Sequence, residues 1–159
     1  MYDLLIKGGR IYDGSGLPSH HGDVAIADGK IVETGRVNGS AKQTLKVDGL
    51  AVAPGFIDPH THMDAQLFWD PMGTSSCFHG VTSVVVGNCG LSLAPAKPEN
   101  RDSVVKSFVR VEAISRRVLE QGFEWQWTTT AEYLRALGTR LGINVGALVG
   151  HIAVRHYVM

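Results

Sequence analysis

Hydrophobic and polar residues alternate in short runs from the start of the chain to about residue 53. Such alternation is typical of strands with one buried face. The pair Asp28-Gly29 separates two of these runs, and this dipeptide favours a two-residue β-hairpin turn. Thr44 to Asp48 alternates in the same way. The pattern therefore predicts a β-rich module over residues 1–53.

The pattern changes after Pro54-Gly55. Residues 56–62 and 82–88 form runs rich in apolar and β-branched side chains, which predict two buried strands. Residues 144–150 predict a third buried strand. These runs lack strict alternation, as expected for strands that are covered on both faces.

Two helices are predicted between the second and third of these strands. Apolar residues between 102 and 121 fall on one helical face, and a second helix is predicted from residue 131 to about residue 141. Thr129 and Glu132 have the spacing of a capping box at the start of this second helix. Strands that alternate with helices pair in parallel through crossovers, so residues 54–159 are predicted to be α/β.

Candidate chemistry collects where the three predicted strands end. Active sites of parallel sheets lie at the carboxyl ends of the strands. These ends carry His60 and His62, then Cys89, then His151. Two histidines that are two residues apart on a strand present their imidazoles on one face, and a nearby thiolate favours zinc. His60, His62 and Cys89 are therefore candidate metal ligands.

Composition narrows the class of protein. Fifteen Lys and Arg balance fifteen Asp and Glu, so the formal net charge is zero and no basic face for nucleic acid is expected. No apolar run approaches the roughly 18 residues of a membrane span. The two cysteines, Cys77 and Cys89, form no disulfide framework. We expect a cytoplasmic protein without a nucleic-acid or membrane partner.

Four segments of the chain have the motifs of a known family. Residues 53–62 read APGFIDPHTH, and residues 60–71, 78–90 and 148–155 read HTHMDAQLFWDP, FHGVTSVVVGNCG and LVGHIAVR. The first segment resembles the first-strand signature of the metal-dependent amidohydrolase superfamily. The other three, in this order, resemble the D-aminoacylase, or N-acyl-D-amino-acid deacylase, family. The resemblance runs essentially from end to end of the chain.

The resemblance implies a fold and a reaction. Residues 1–53 would belong to a small β-sandwich, and residues 54–159 would form about the first three βα units of a (β/α)₈ TIM-type barrel. His60, His62 and Cys89 would bind zinc, and metal-activated water would hydrolyse N-acyl-D-amino acids to a D-amino acid and a carboxylate. The family's general base lies on the last barrel strand, which places it beyond residue 159. The rest of the barrel is thus expected to be required for a complete site.

Other side chains are weaker candidates for substrate contacts. His151 follows the third predicted strand, Arg155 can bind a carboxylate bidentately, and Asp64 either lines the pocket or caps its loop. Three tryptophans either line an acyl pocket or pack in the core: Trp69, Trp125 and Trp127.

Two other functions stay open at this point. A cyclic-amide hydrolase, like hydantoinase or dihydropyrimidinase, would keep the fold and the metal. Cys89 weighs against this alternative because many such relatives use a carboxylated lysine as the corresponding ligand. The second alternative is a non-catalytic fragment that binds metal or associates with a complementary chain.

Overall fold

The structure is a computed structural model that describes every residue from Met1 to Met159. The chain forms two compact units, Met1–Pro54 and Gly55–Met159. The first consists of β-strands and the second combines strands with helices, so the fold class is mixed α/β. None of the helices has both the length and the apolar character needed to cross a membrane.

The first unit contains one five-stranded sheet. Its strands are β1 (Tyr2–Ile11), β2 (His20–Ala27), β3 (Lys30–Gly35), β4 (Ala41–Lys46) and β5 (Ala51–Val52). β1 is antiparallel to β2 and parallel to both β4 and β5. Asp28 and Gly29 join β2 to β3 with φ values of 50° and 70°, as a type I′ turn requires. The predicted hairpin is therefore confirmed.

The second unit contains a three-stranded parallel sheet. Its strands, β6 (Phe56–Asp58), β7 (Val81–Val86) and β8 (Asn144–Ala147), lie side by side in chain order. Both pairings are parallel, as the alternation of strands and helices predicted. Val84 and Val86 on β7 are 1% and 0% exposed. The predictions that the first and third strands are buried were wrong. Phe56 and Ile57 on the edge strand β6 are 65% and 69% exposed, and no residue of the other edge strand, β8, is buried.

Four α-helices accompany this sheet: α1 (Arg101–Val111), α2 (Arg116–Gly122), α3 (Thr130–Leu137) and α4 (His151–Val158). The single helix predicted over residues 102–121 is two helices. Ala113 adopts a left-handed φ of 55°, and the Ser115 hydroxyl then accepts a hydrogen bond from the Val118 backbone N–H as the N-cap of α2. An α-helix does not continue through a left-handed residue, so α1 ends before it.

Helix α3 begins as its sequence predicts. The Thr129 hydroxyl accepts from the Glu132 backbone N–H, and the Glu132 carboxylate accepts from the Thr129 backbone N–H. This is the reciprocal capping box, which is therefore confirmed. The helix ends at Leu137, earlier than predicted, because Gly138 takes a left-handed φ of 70° and supplies the C-terminal stop.

An aromatic core forms part of the hydrophobic interior of the second unit. We use this name for Phe68, Phe123, Trp125, Trp127 and Tyr133, whose rings pack in mutual contact. The rings of Phe68 and Trp127 stack with centroids 5.0 Å apart. Trp127 is 2% exposed and its indole N–H donates to the Leu93 carbonyl at 2.8 Å. Trp127 is thus a packing residue rather than the wall of an acyl pocket.

Candidate metal centre

Three potential metal ligands meet beyond the carboxyl ends of β6 and β7. One ligand atom from each of His60, His62 and Cys89 lies within 4.8 Å of the other two. The closest contact joins His60 Nε2 to Cys89 Sγ at 3.1 Å. The two imidazole rings stand edge to face with centroids 5.5 Å apart. His60 and Cys89 are exposed and His62 is half-buried, so one side of the cluster is open to solvent.

The two histidines lie in a loop and not on a strand. β6 was expected to extend to His62, but it ends at Asp58, where its register with β7 also ends, opposite Val84. Pro59 follows and has no N–H to donate, so the ladder stops there. The Asp58 carboxylate accepts from the His60 backbone N–H at 3.2 Å and stabilises the loop entry.

Cys89 occupies an unusual backbone turn. Gly87, Cys89 and Gly90 have φ values of 82°, 54° and 78°, all in the left-handed region. Glycine is required at position 87, because a Cβ there would lie 2.3 Å from the Leu148 carbonyl oxygen. For a residue with a side chain, such as Cys89, this conformation costs about 1–2 kcal/mol. The turn directs the Cys89 thiol toward His60.

Asp64, a candidate for substrate contact, is 0% exposed. Its Oδ2 accepts from the Gly87 backbone N–H at 3.3 Å, while Oδ1 has no hydrogen-bond partner. Burial in this environment raises the pKa of Asp64 to about 7. Through its hydrogen bond to Gly87, the carboxyl group supports the Cys89 turn from inside the protein.

Helix α1 brings a carboxylate to the second histidine. Glu112 follows the last residue of α1, and its Oε1 lies 3.8 Å from His62 Nδ1. His62 Nδ1 is buried and has no hydrogen-bond partner. Metal-binding histidines commonly direct their second ring nitrogen toward such a carboxylate.

The other two candidates for substrate contact lie on α4. His151 is the first residue of this helix and is exposed, rather than ending a strand, because β8 ends at Ala147. Arg155 is exposed and lies beside Ile152, His156 and Met159 at a surface depression. Neither side chain belongs to the metal-ligand cluster. Their contact with substrate stays a prediction.

Sequence reasoning missed three residues around the cluster: Thr61, Asn88 and Glu112. Thr61 lies between the two histidines and Asn88 precedes Cys89, so their positions beside candidate ligands were the available signal. Glu112 is distant in sequence from the ligands, and only the folded arrangement brings it to His62.

Comparison with known proteins defines the class. A sequence profile of the amidohydrolase family matches residues 44–159. The chain belongs to this family. It is 37% identical to D-aminoacylase from Alcaligenes xylosoxydans xylosoxydans over 99% of its own length and 31% of that protein. The chain thus spans about a third of the relative's length, and the resemblance inferred from the sequence is confirmed.

Solved structures give the same relationship. A crystal structure of D-aminoacylase matches 100% of this chain and 32% of its own chain, with a TM-score of 0.80 and 33% identity. N-acyl-D-glutamate deacylase from Bordetella bronchiseptica, complexed with zinc and a phosphonate inhibitor, matches 99% of this chain and 31% of its own, with a TM-score of 0.72 and 34% identity. A sequence relative from another branch covers less of the chain. The D-hydantoinase of Ralstonia pickettii is 36% identical in sequence, but over only 55% of this chain and 18% of its own.

Proposed function

We propose that this chain is part of a zinc-dependent amidohydrolase that cleaves the amide bond of N-acyl-D-amino acids. The observation that carries the proposal is the convergence of His60, His62 and Cys89 in a chain similar to D-aminoacylase along 99% of its length. The products would be a carboxylate and a free D-amino acid. Because the chain spans about a third of that relative, the activity is proposed for the whole protein.

The order of the parallel strands supports a barrel as the setting of this site. β6, β7 and β8 are neighbours in chain order, with helices between β7 and β8. A (β/α)₈ barrel has this order throughout, and one half of a doubly wound sheet has it too. The resemblance to the amidohydrolase family favours the barrel. We therefore propose that residues 54–159 form about three βα units of a barrel, and that residues 1–53 belong to a β-sandwich.

The donor atoms fit zinc. Imidazole nitrogen and thiolate sulfur are its preferred ligands, with bonds of about 2.0–2.3 Å. Two ligands of one tetrahedral ion are therefore about 3.3–3.6 Å apart. The His60 and Cys89 ligand atoms are 3.1 Å apart, slightly closer than this spacing. The three ligand atoms all lie within 4.8 Å of one another, so small side-chain movements would bring them to the spacing of one ion. Three protein ligands also leave one position open, as in catalytic zinc sites.

His60, His62 and Cys89 would hold the metal on the open side of the two loops. When bound, zinc supplies the Lewis acidity that polarises an amide carbonyl and lowers the pKa of water to about 7. The Glu112 carboxylate, 3.8 Å from His62 Nδ1, would favour a ring orientation that directs this nitrogen away from the metal, although no hydrogen bond joins the two groups. Asp64 is enclosed and so is not placed to exchange protons with a substrate. The carboxylate that protonates the leaving nitrogen is proposed to lie in the remainder of the protein.

Activity on paired enantiomers tests this function. The intact protein should release amino acid from N-acetyl-D-methionine or N-acetyl-D-glutamate and not from the L-forms, measured by a free-amine assay. Cys89→Ala should abolish the release. Cys77→Ala is the matched control, since Cys77 lies in a separate turn, Cys77–His79, outside the cluster.

Two results would contradict the proposal. Turnover of hydantoins or dihydropyrimidines alone would identify a cyclic-amide hydrolase instead. Loss of D-amino-acid release in Cys77→Ala with full activity in Cys89→Ala would exclude the proposed ligand. The isolated 159-residue chain is expected to be inactive, because it spans only about a third of the D-aminoacylase it resembles.

A further inference from the structure

The backbone carbonyl of Val85 accepts three hydrogen bonds at the carboxyl end of β7. The donors are the backbone N–H of Thr61 at 3.0 Å, the hydroxyl of Thr61 at 2.9 Å and the side-chain amide of Asn88 at 2.8 Å. The same Asn88 amide also lies 3.4 Å from the Thr61 carbonyl. We call these three residues the Val85 junction.

The junction joins the two segments that carry the candidate ligands. Thr61 is the residue between His60 and His62, and Asn88 immediately precedes Cys89. The ladder between β6 and β7 ends at Asp58, so these hydrogen bonds continue the connection beyond the sheet. The His60–His62 loop and the Cys89 turn are thereby linked through a single carbonyl oxygen.

The side chains of Thr61 and Asn88 are buried and both donate to the Val85 carbonyl. Thr61 is 7% exposed and Asn88 is 8% exposed, and they are two of the four buried polar residues of the chain. A buried hydroxyl or amide destabilises a protein unless it forms hydrogen bonds. Hydrophobic residues would fill the same space without that requirement. The polar side chains at these two positions therefore point to a role in geometry.

We propose that Thr61 and Asn88 are positioning residues of the metal centre. Their hydrogen bonds to Val85 hold the His60–His62 loop and the Cys89 turn together, so that the three candidate ligand atoms stay within 4.8 Å of one another before a metal ion binds. This inference rests on the proposed function, because it takes those three side chains as the ligands. Neither Thr61 nor Asn88 is one of the candidate ligands.

The physical reason is preorganisation. Ligand side chains must be held to within about 0.5 Å of the productive geometry, and ligands on loops depend on packing and supporting hydrogen bonds for this precision. The Cys89 turn also needs support, because its left-handed backbone is disfavoured by itself. Removing supporting partners around a metal site typically weakens metal affinity about 10–100-fold.

Zinc affinity of the intact protein tests the role of the junction. Thr61→Val removes the hydroxyl and keeps the shape of the side chain, and Asn88→Ala removes the amide. Each variant should bind zinc about 10–100-fold more weakly than the unchanged protein in competition with a chromophoric chelator. Thr61→Ser retains the hydroxyl and should restore most of the affinity.

Asn144→Ala is the matched control at the other end of β7. The Asn144 amide donates to the Thr82 carbonyl at 2.9 Å, so the variant also removes an amide contact with the backbone of β7. Its zinc affinity should be unchanged. A similar loss of affinity in Asn144→Ala and Asn88→Ala would overturn the proposal, since the effect would then reflect general destabilisation.

Cobalt substitution supplies a readout that folding stability alone does not move. The thiolate-to-cobalt charge-transfer band should weaken or shift in Thr61→Val and Asn88→Ala and stay unchanged in Asn144→Ala. Normal zinc affinity and a normal cobalt spectrum in both junction variants would overturn the positioning role and leave the proposed function intact. Failure of the unchanged protein to bind either metal would overturn the proposed function itself.

Discussion

The candidate metal centre and the aromatic core lie in the same unit, yet they differ in backbone conformation and in how their buried polar atoms are paired. In the core, Trp127 and Tyr133 bury their rings and donate their polar hydrogens to backbone carbonyls. At the candidate metal centre, Cys89 adopts a left-handed backbone, and two buried atoms, His62 Nδ1 and Asp64 Oδ1, lack hydrogen-bond partners. Departures from local preferences are expected at functional sites. The aromatic core thus combines burial with satisfied polar groups, whereas the candidate metal centre keeps a disfavoured backbone angle and two unpaired buried atoms.

Trp127→Ala should have the largest effect on folding. The side chain is 2% exposed and stacks on Phe68, so its removal should cost about 3–5 kcal/mol of unfolding free energy. Denaturant unfolding measures this loss. A cost below about 1 kcal/mol would mean that the aromatic core does not dominate the stability of the unit.

At Cys89, the smaller of two replacement residues, glycine rather than alanine, should give the more stable protein, because the backbone conformation there favours glycine. A left-handed alanine costs about 1–2 kcal/mol, partly offset by the 0.5–1 kcal/mol or so that glycine loses through its greater freedom in the unfolded chain. Without metal, Cys89→Gly should therefore be about 0.5–1 kcal/mol more stable than Cys89→Ala in denaturant unfolding. Equal stability of the two variants, or greater stability of Cys89→Ala, would contradict backbone strain at this turn.

The capping box of α3, the helix that carries Tyr133, should give the smallest effect. Backbone N–H groups of Thr129 and Thr128 donate to the Glu132 carboxylate and lower its pKa. A lowered pKa stabilises the fold above the unfolded-state value and loses this effect as the pH falls through the folded-state value.

Glu132→Gln keeps the capping oxygen and removes the charge, so it isolates this contribution. The Tm of the variant should lie below that of the unchanged protein at pH 7, and the difference should shrink under acidic conditions near pH 3. A difference that grows as the pH falls would show that the Glu132 charge does not stabilise the helix.

Local patterns allowed the regular parts of the fold to be predicted. The Asp28-Gly29 turn and the Thr129 capping box depend on neighbouring residues, and the structure confirms both. Features decided by a single backbone angle were missed. Ala113 divides one predicted helix into two, and nothing in its side chain signals a left-handed conformation.

The site was predictable only where the residue type itself carries the chemistry. His60, His62 and Cys89 stood out because imidazole and thiolate bind metals, and the structure brings them together. Thr61 and Asn88 both donate to the Val85 carbonyl, which lies on another segment for Thr61 and three residues earlier for Asn88, and every residue has such a carbonyl. No sequence pattern identifies which carbonyl accepts them until the segments are placed in space.

Zinc retention by two cysteine variants tests the metal centre most directly. The intact protein, Cys89→Ala and Cys77→Ala would be loaded with zinc and dialysed, and their metal content measured by atomic spectroscopy. Cys89→Ala should lose tightly held zinc, while Cys77→Ala should retain as much as the unchanged protein. Equal zinc content in all three proteins would remove Cys89 from the site and contradict the account.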